Sequence, residues 1–290
     1  MRLVTFRDRA GGRPQPGAVI DDRVVSLDTI ARDMLGFIEQ GARALDAAAA
    51  LHGGAKSAPL AGVTLCAPIE LPRRNIVCVG LNYAEHVAES KSVAGADAPK
   101  YPVFFTKPPT CVIGPDEPIP WHPRVSTAID WEAELAVIIG RSCRDVDEAS
   151  ALEQVFGYTI ANDVTARDLQ ARHQQWYKGK GLDGFCPLGP SIVTADEIAD
   201  PQTLDISLRV NGETKQQSNT RHMIFTVARL IAEWSAGMTL LPGDILLTGT
   251  PSGVGIGRTP PEFLKPGDVV EAEIAGIGVL RNIVGGDSGA

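Results

Sequence analysis

Short runs of alternating or unbroken hydrophobic positions, cut at short intervals by Gly, Pro or Asp, make up most of the chain. Residues 2–6, 17–20 and 23–27 are alternating or β-branched and are broken by "GGRPQPG" and "DD". That pattern predicts a small antiparallel meander. "SLDTIARDMLGFIEQG" and "ARALDAAAALHG" keep helical spacing and each closes on Gly, so two helices are expected next. "APIELPRRN" (67–75) reads as a Pro-punctuated connector and places a boundary near residue 68. The division expected is a small N-terminal α+β domain, 1–68, and a larger domain, 69–290.

Beyond the boundary, "IVCVGLN", "PVFFTKPPTCVIGP" and "AELAVIIG" are strand candidates. Asn211-Gly212 between two alternating runs is a strong hairpin signal. Pro-Gly-Asp recurs at 242–244 and 266–268, with Pro suited to the first corner of a turn and Gly to the second. Two further helices are expected, one over "DEASALEQVFG" and one from Asn219 or Thr220 to Gly237. The second carries Met223, Ile224, Val227, Leu230, Ile231 and Trp234 on one stripe and reads as a cover for a sheet. The fold class is α+β and β-dominated, because regular strand–helix alternation is lacking.

With 290 residues and 44% hydrophobic content, the chain has material for a sizeable core. A formal net charge of −8 speaks against nucleic acid or an anionic membrane as partner. An anionic small molecule stays open, since a site can be locally positive. No apolar run approaches the roughly 20 residues of a membrane span, and the opening "MRLVTFRDRAGG" lacks the apolar stretch of a secretory signal. The five widely spaced cysteines, with no C-x-x-C, suggest reduced thiols and a cytoplasmic location.

Five stretches carry candidate chemistry. In "STAIDWEAELAVIIG" (126–140), Asp130, Glu132 and Glu134 alternate, so on a strand they share a face. Read alone, they suit a charged, solvated edge or, second, a divalent metal site built of hard oxygens. In "GYTIANDVTARDLQ", Asp163 stands where a strand ends, as a loop ligand or a helix N-cap, with Arg167 and Gln170 three apart after it. In "GLNYAEHVAES", His86 and Glu89 are one helical turn apart, a surface pair or a base with its orienting carboxylate. "WYKGKGLDGFCPLGP" places Lys178 and Lys180 in a Gly-rich loop that is no nucleotide P-loop but either lets the backbone approach a ligand or is a mobile basic surface loop. "LLTGTPSGVGIG" leads a strand into a Thr/Gly loop whose amides can bind an anion or merely close a hairpin. Residues 88–100, small and polar, read as a mobile lid that closes on substrate or as a plain disordered loop.

Taken in order, "GLNYAEHVAE", "PVFFTKP", "DWEAELAVIIGR", "GYTIANDVTARDLQ", "KGKGLDGFCPLGP", "VNGE" and "PGDILLTGTPSGVG" resemble the fumarylacetoacetate hydrolase family over about 75 to 285, in its bacterial form with a short N-terminal domain. Trp131 stands where Tyr is common. The resemblance implies a mixed β-sandwich roll, assembled as a homodimer. It implies Mg²⁺ or Mn²⁺ (Ca²⁺ in vitro) on Glu132, Glu134 and Asp163, with Asp130 outside the ligand set. It further implies His86 and Glu89 as a water-activating dyad, and Arg167, Gln170, Lys180 and Thr250 around a small 2-oxo acid, Lys180 also as a catalytic group. The reaction expected is hydrolysis of a C–C bond in an acylpyruvate-type substrate. Tautomerisation or isomerisation of a hydroxymuconate-type diacid, and decarboxylation of oxaloacetate, are the alternatives on the same parts.

Overall fold

A computed structural model describes residues 1–9, 11–51, 56–94 and 98–287, without the side chains of 90–94 and 286–287. Two sheets dominate it. The larger runs in the order Ser57–Pro59, Arg23–Ser26, Gln15–Ile20, Arg2–Asp8, Cys186–Thr194, Val155–Asn162, Ala133–Ile139, Ile245–Leu247, Ile76–Gly80, Val103–Lys107. The smaller runs Glu213–Asn219, Asp205–Val210, Val269–Ile274, Gly278–Asp287, Ile119–Trp121. Most pairings are antiparallel, but Ile245–Leu247 runs parallel to Ile76–Gly80 and Gly278–Asp287 parallel to Ile119–Trp121. The molecule is thus β-dominated α+β, as the pattern predicts, with mixed sheets, as the resemblance implies.

The strand Ala133–Ile139 is the spine. Both its faces are buried. Leu135, Val137 and Ile139 pack toward Leu208, Val270 and Leu280 of the smaller sheet, and Ala136 and Ile138 toward Phe37, Ile76 and Leu188 on the other side. The solvated-edge reading of this stretch therefore fails: its flanking strands Val155–Asn162 and Ile245–Leu247 remove any free edge.

The larger sheet also crosses residue 68. Arg2 and Leu3 pair with Val193 and Ile192, and Leu3, Phe37 and Ile38 share one apolar cluster with Ile76, Ala136 and Leu188. Asn211 and Gly212 both take positive φ, 51° and 79°, between the paired strands Asp205–Val210 and Glu213–Asn219, as a tight hairpin turn demands. Gly243 and Gly267 likewise sit at positive φ, 87° and 90°, at the second corner of their turns.

Several helices are shorter than the sequence suggests. The one expected over 219–237 is split into a 3-10 turn, Thr220–His222, capped by Asn219, and an α-helix, Val227–Ser235, capped by Thr226, whose hydroxyl accepts from the Arg229 amide. Asn82 interrupts it: its carbonyl and side-chain oxygens accept the amides of Ile224 and Phe225, which a continuous helix would need. "DEASALEQVFG" forms one turn, Ala151–Gln154, then enters the strand Val155–Asn162, because two neighbouring strands pair with it. The polar segment read as a lid starts as helix, Ala84–Ala94; its residues 95–97 lie outside the described residues.

Candidate active site

Glu132, Glu134 and Asp163 meet where the spine strand begins and its neighbour Val155–Asn162 ends. A ligand oxygen from each lies within 4.8 Å of the others, and all three residues are buried. The backbone sets this meeting point: the Asp163 amide donates to the Glu132 carbonyl at 2.8 Å, and Asn162 Oδ1 accepts the Glu132 amide at 2.9 Å.

Asp130 does not continue the same strand. The ladder breaks at Trp131 and Glu132, and Ile129–Asp130 pairs instead with Thr165–Ala166. Asp130 consequently faces the Gly-rich loop, accepting from the amides of Gly255 and Ile256 (2.7 and 2.9 Å) and from Arg167 Nε (2.7 Å).

Three buried cations answer the carboxylates. Lys180 Nζ lies 2.8 Å from Glu132 Oε2 and 2.6 Å from Asp163 Oδ2. Lys107 Nζ lies 2.6 Å from Asp163 Oδ1. Arg167 Nη1 lies 2.8 Å from Glu132 Oε1. Burial alone would raise the Glu132 carboxyl, but Lys180 and Arg167 outweigh it and hold it at about 2. Glu134 goes the other way. Burial, then the charges of Asp163 and Glu132, push its carboxyl well above the usual range, and the Lys180 charge and the Gly249 amide at 2.6 Å offset only part of that. Glu134 is the carboxylate short of positive charge, so the donor set suits an added cation, and all-oxygen donors suit a hard divalent one.

His86 and Glu89 lie on the helix Ala84–Ala94, with His86 Nδ1 3.3 Å from Glu89 Oε2. They line a cavity of about 320 Å³ together with Glu132, Arg167, Gln170, Lys180 and Thr250. His86, Glu89, Glu132, Arg167, Gln170, Lys180 and Thr250 are therefore brought to one place, with Glu134 and Asp163 behind Glu132, whereas Lys178 is exposed and outside the cavity lining. Arg167 is buried, not solvent-facing, and its Nη2 is a buried donor with no partner. Its Nη1 donates to Gln170 Oε1 at 3.1 Å. Thr250 is more committed than expected: its hydroxyl donates to the Ala133 carbonyl and accepts from Gln216, leaving only a lone pair for a ligand. Lys180 sits on the short helix Tyr177–Lys180 and is 2% exposed, whereas Lys178 on the same turn is exposed.

The loop "TGTPSGVGIG" does not wait for an external anion. Its amides take the chain's own carboxylates: Gly249 takes Glu134, Gly253 takes both oxygens of Glu89 at 3.2 Å, and Gly255 and Ile256 take Asp130. Gly249 and Gly253 stand at φ 96° and 101°, where only Gly is unstrained. One loop thereby aligns the dyad, the acidic triad and the Arg167 clamp.

Lys107 escaped the sequence reading, although it is fully buried against Asp163. Its signal was a lysine closing the apolar run "PVFFTK", where a strand side chain has no route to water. Gln216, which also holds the Ala133 amide at 2.9 Å, had no local signal. A larger cavity of about 560 Å³ is lined by Lys215, Glu213 and Glu262, whose charges already pair with one another.

The family model "Fumarylacetoacetate (FAA) hydrolase C-terminal" matches residues 75–285. The oxaloacetate tautomerase YisK of Bacillus subtilis is 42% identical over 289 residues, 93% of this chain and 95% of that protein. The fumarylacetoacetate hydrolase from Exiguobacterium antarcticum superposes with a TM-score of 0.85 at 41% identity, covering 98% of this chain and 99% of that one. The maleylpyruvate hydrolase from Sphingobium sp. SYK-6, in complex with manganese(II) and pyruvate, gives 0.82 at 32% identity, covering 99% and 100%. With its buried acidic triad, its β-dominated mixed sheets and these matches along its length, the chain belongs to the fumarylacetoacetate hydrolase family.

Proposed function

We propose that the protein is a divalent-metal-dependent enzyme of short 2-oxo acids that moves a proton between carbon and oxygen, a keto–enol tautomerase of the oxaloacetate type. The observation that carries this is the placement of the His86–Glu89 pair, the unpartnered Arg167 Nη2 and the Glu132–Glu134–Asp163 triad around one small cavity. The 42% identity to a protein named as an oxaloacetate tautomerase supports it.

Glu132, Glu134 and Asp163 would hold Mg²⁺ or Mn²⁺; the manganese in the Sphingobium structure supports a divalent ion. When bound, such an ion supplies Lewis acidity that stabilises enolate charge on a 2-oxo acid. The chain's own groups do the rest. Arg167 Nη2 takes a substrate carboxylate, while Asp130 holds Nε and fixes the guanidinium plane. With Arg167 on its Oε1, Gln170 keeps Nε2 to donate, and Thr250 Oγ1 can accept an enol hydroxyl. Lys180 places positive charge beside the developing negative charge. Glu89 fixes the His86 ring through Nδ1, so Nε2 exchanges the proton. In the enol-to-keto direction one proton arrives at the carbon and one leaves the enol oxygen, so atoms and charge balance.

The same dyad can instead take a proton from water, and the hydroxide can then cleave a C–C bond of an acylpyruvate. The likeness to the maleylpyruvate hydrolase favours this second reading. The deciding experiment gives the Mg²⁺-loaded protein enolic oxaloacetate and, separately, acylpyruvates. Loss of the enol absorbance without pyruvate supports the tautomerase. Pyruvate with a second acid indicates hydrolysis, and pyruvate with CO₂ indicates decarboxylation. No turnover of any substrate, with Mg²⁺ or Mn²⁺, overturns the proposal. His86→Ala is expected to lose about 10²–10⁴-fold in kcat; near-normal turnover would sink the base assignment. We also propose a homodimer in a reducing cytoplasm, checked for assembly by light scattering on a sizing column.

A further inference from the structure

The geometry points to Trp176 as the wall residue that sets how well the cavity tells a short 2-oxo diacid from a longer one. This rests on the function proposed above and narrows its substrate class. Trp176 lines the same cavity as His86 and Arg167. It precedes the helix Tyr177–Lys180, and its carbonyl accepts from the amides of Gly179 and Lys180 at 2.9 and 3.1 Å. Trp176 and Lys180 are four apart across that single turn, so the indole borders the space beside the ammonium.

The ring is clamped on two sides. Its benzo edge rests on Gly80, where an added Cβ would overlap it, with Cη2 at 2.8 Å. Phe105 packs against it edge-on, with centroids 5.4 Å apart and planes at 69°. Phe105 is held in turn by Lys180 Nζ, 5.1 Å from its centroid. A ring fixed in this way cannot swing aside to admit a longer ligand.

The cavity is small for a ligand pocket. About 320 Å³ is at the low end of ligand pockets, which run from roughly 300 to 1,000 Å³. Its one buried, unpartnered cationic donor, among the described residues, is Arg167 Nη2, enough for one substrate carboxylate. Methylenes added to a substrate held at Arg167 have the indole as one wall of the space left to them.

The test measures binding, by calorimetry in Mg²⁺, of oxaloacetate, 2-oxoglutarate and 2-oxoadipate to wild type, Trp176→Ala and Trp176→Phe. Wild type is expected to lose about tenfold in affinity per added methylene, and both variants to flatten that series, Ala more than Phe. The readout is the gradient within each protein, so a uniform loss of affinity does not imitate it, and Trp176→Phe keeps the packing if Trp176→Ala does not fold. A wild type that binds all three equally, or variants that keep its gradient while oxaloacetate still turns over, overturn this inference alone. A wild type that binds none of the three overturns the proposed function and this inference with it.

Discussion

At the scale of single residues, the site is a problem of charge placement. Glu132, Asp163 and Asp130 each have a cationic partner within 3 Å, whereas Glu134 has only an amide. A carboxyl whose folded pKa is raised stabilises the fold below its unfolded pKa, about 4.5, and that contribution is lost as pH rises toward the folded value. Glu134→Gln should therefore melt no lower than wild type at pH 7 in EDTA, yet lose the rise in melting temperature expected of wild type on adding Mg²⁺. Scanning calorimetry with and without Mg²⁺ checks both halves. Lys107→Met has the opposite sign. It leaves Asp163 with one cation instead of two in a dry interior, and should cost about 3–5 kcal/mol in chemical denaturation.

Among the elements, the loop after Ile245–Leu247 does most of the aligning, and Gly257 is its most testable position. Its φ lies outside the left-handed region, so the backbone tolerates a side chain, yet a Cβ there would overlap the Glu89 carboxylate. Gly257→Ala is expected to push Glu89 away from His86 and to lower kcat about 10²-fold with little change in melting temperature. The double variant with Glu89→Gln separates positioning from general damage: it should lose no more than Glu89→Gln alone, because both changes break the same contact. Strands were more legible than helices in this chain. Alternation and turn residues are local, so the 211–212 hairpin and the Pro-Gly-Asp turns stand in the sequence as they stand in the fold. The helix expected from Asn219 was cut short by Asn82, far away along the chain, which local periodicity has no means to register.

For the whole molecule, the first 68 residues matter through a shared sheet and a shared core. Removing them would uncover the pairing edge of Cys186–Thr194 and strip Leu3, Phe37 and Ile38 from the cluster that backs the spine strand. A chain of residues 69–290 is expected to aggregate or to melt well below the full protein, a comparison that solubility and circular dichroism decide. The triad, sitting at the end of that spine, would lose its rigid support in the same step.

What the sequence determined by itself is the set of parts: short strands with their turns, the β-dominated class, and the acidic, basic and imidazole groups whose ordered motifs resemble one family. These are legible because strand alternation and turn chemistry act between near neighbours. Which face each group meets was decided only in three dimensions. Asp130 and Glu132 look like one row of charges, and a break of two residues turns one toward the Gly-rich loop and Arg167 and the other toward the triad. Lys107, Lys180 and Asp163 come from separate segments and are charged in a dry interior only because folding brings them together. Burial and pairing across such distances are properties of the packed molecule, and no local run of residues contains them.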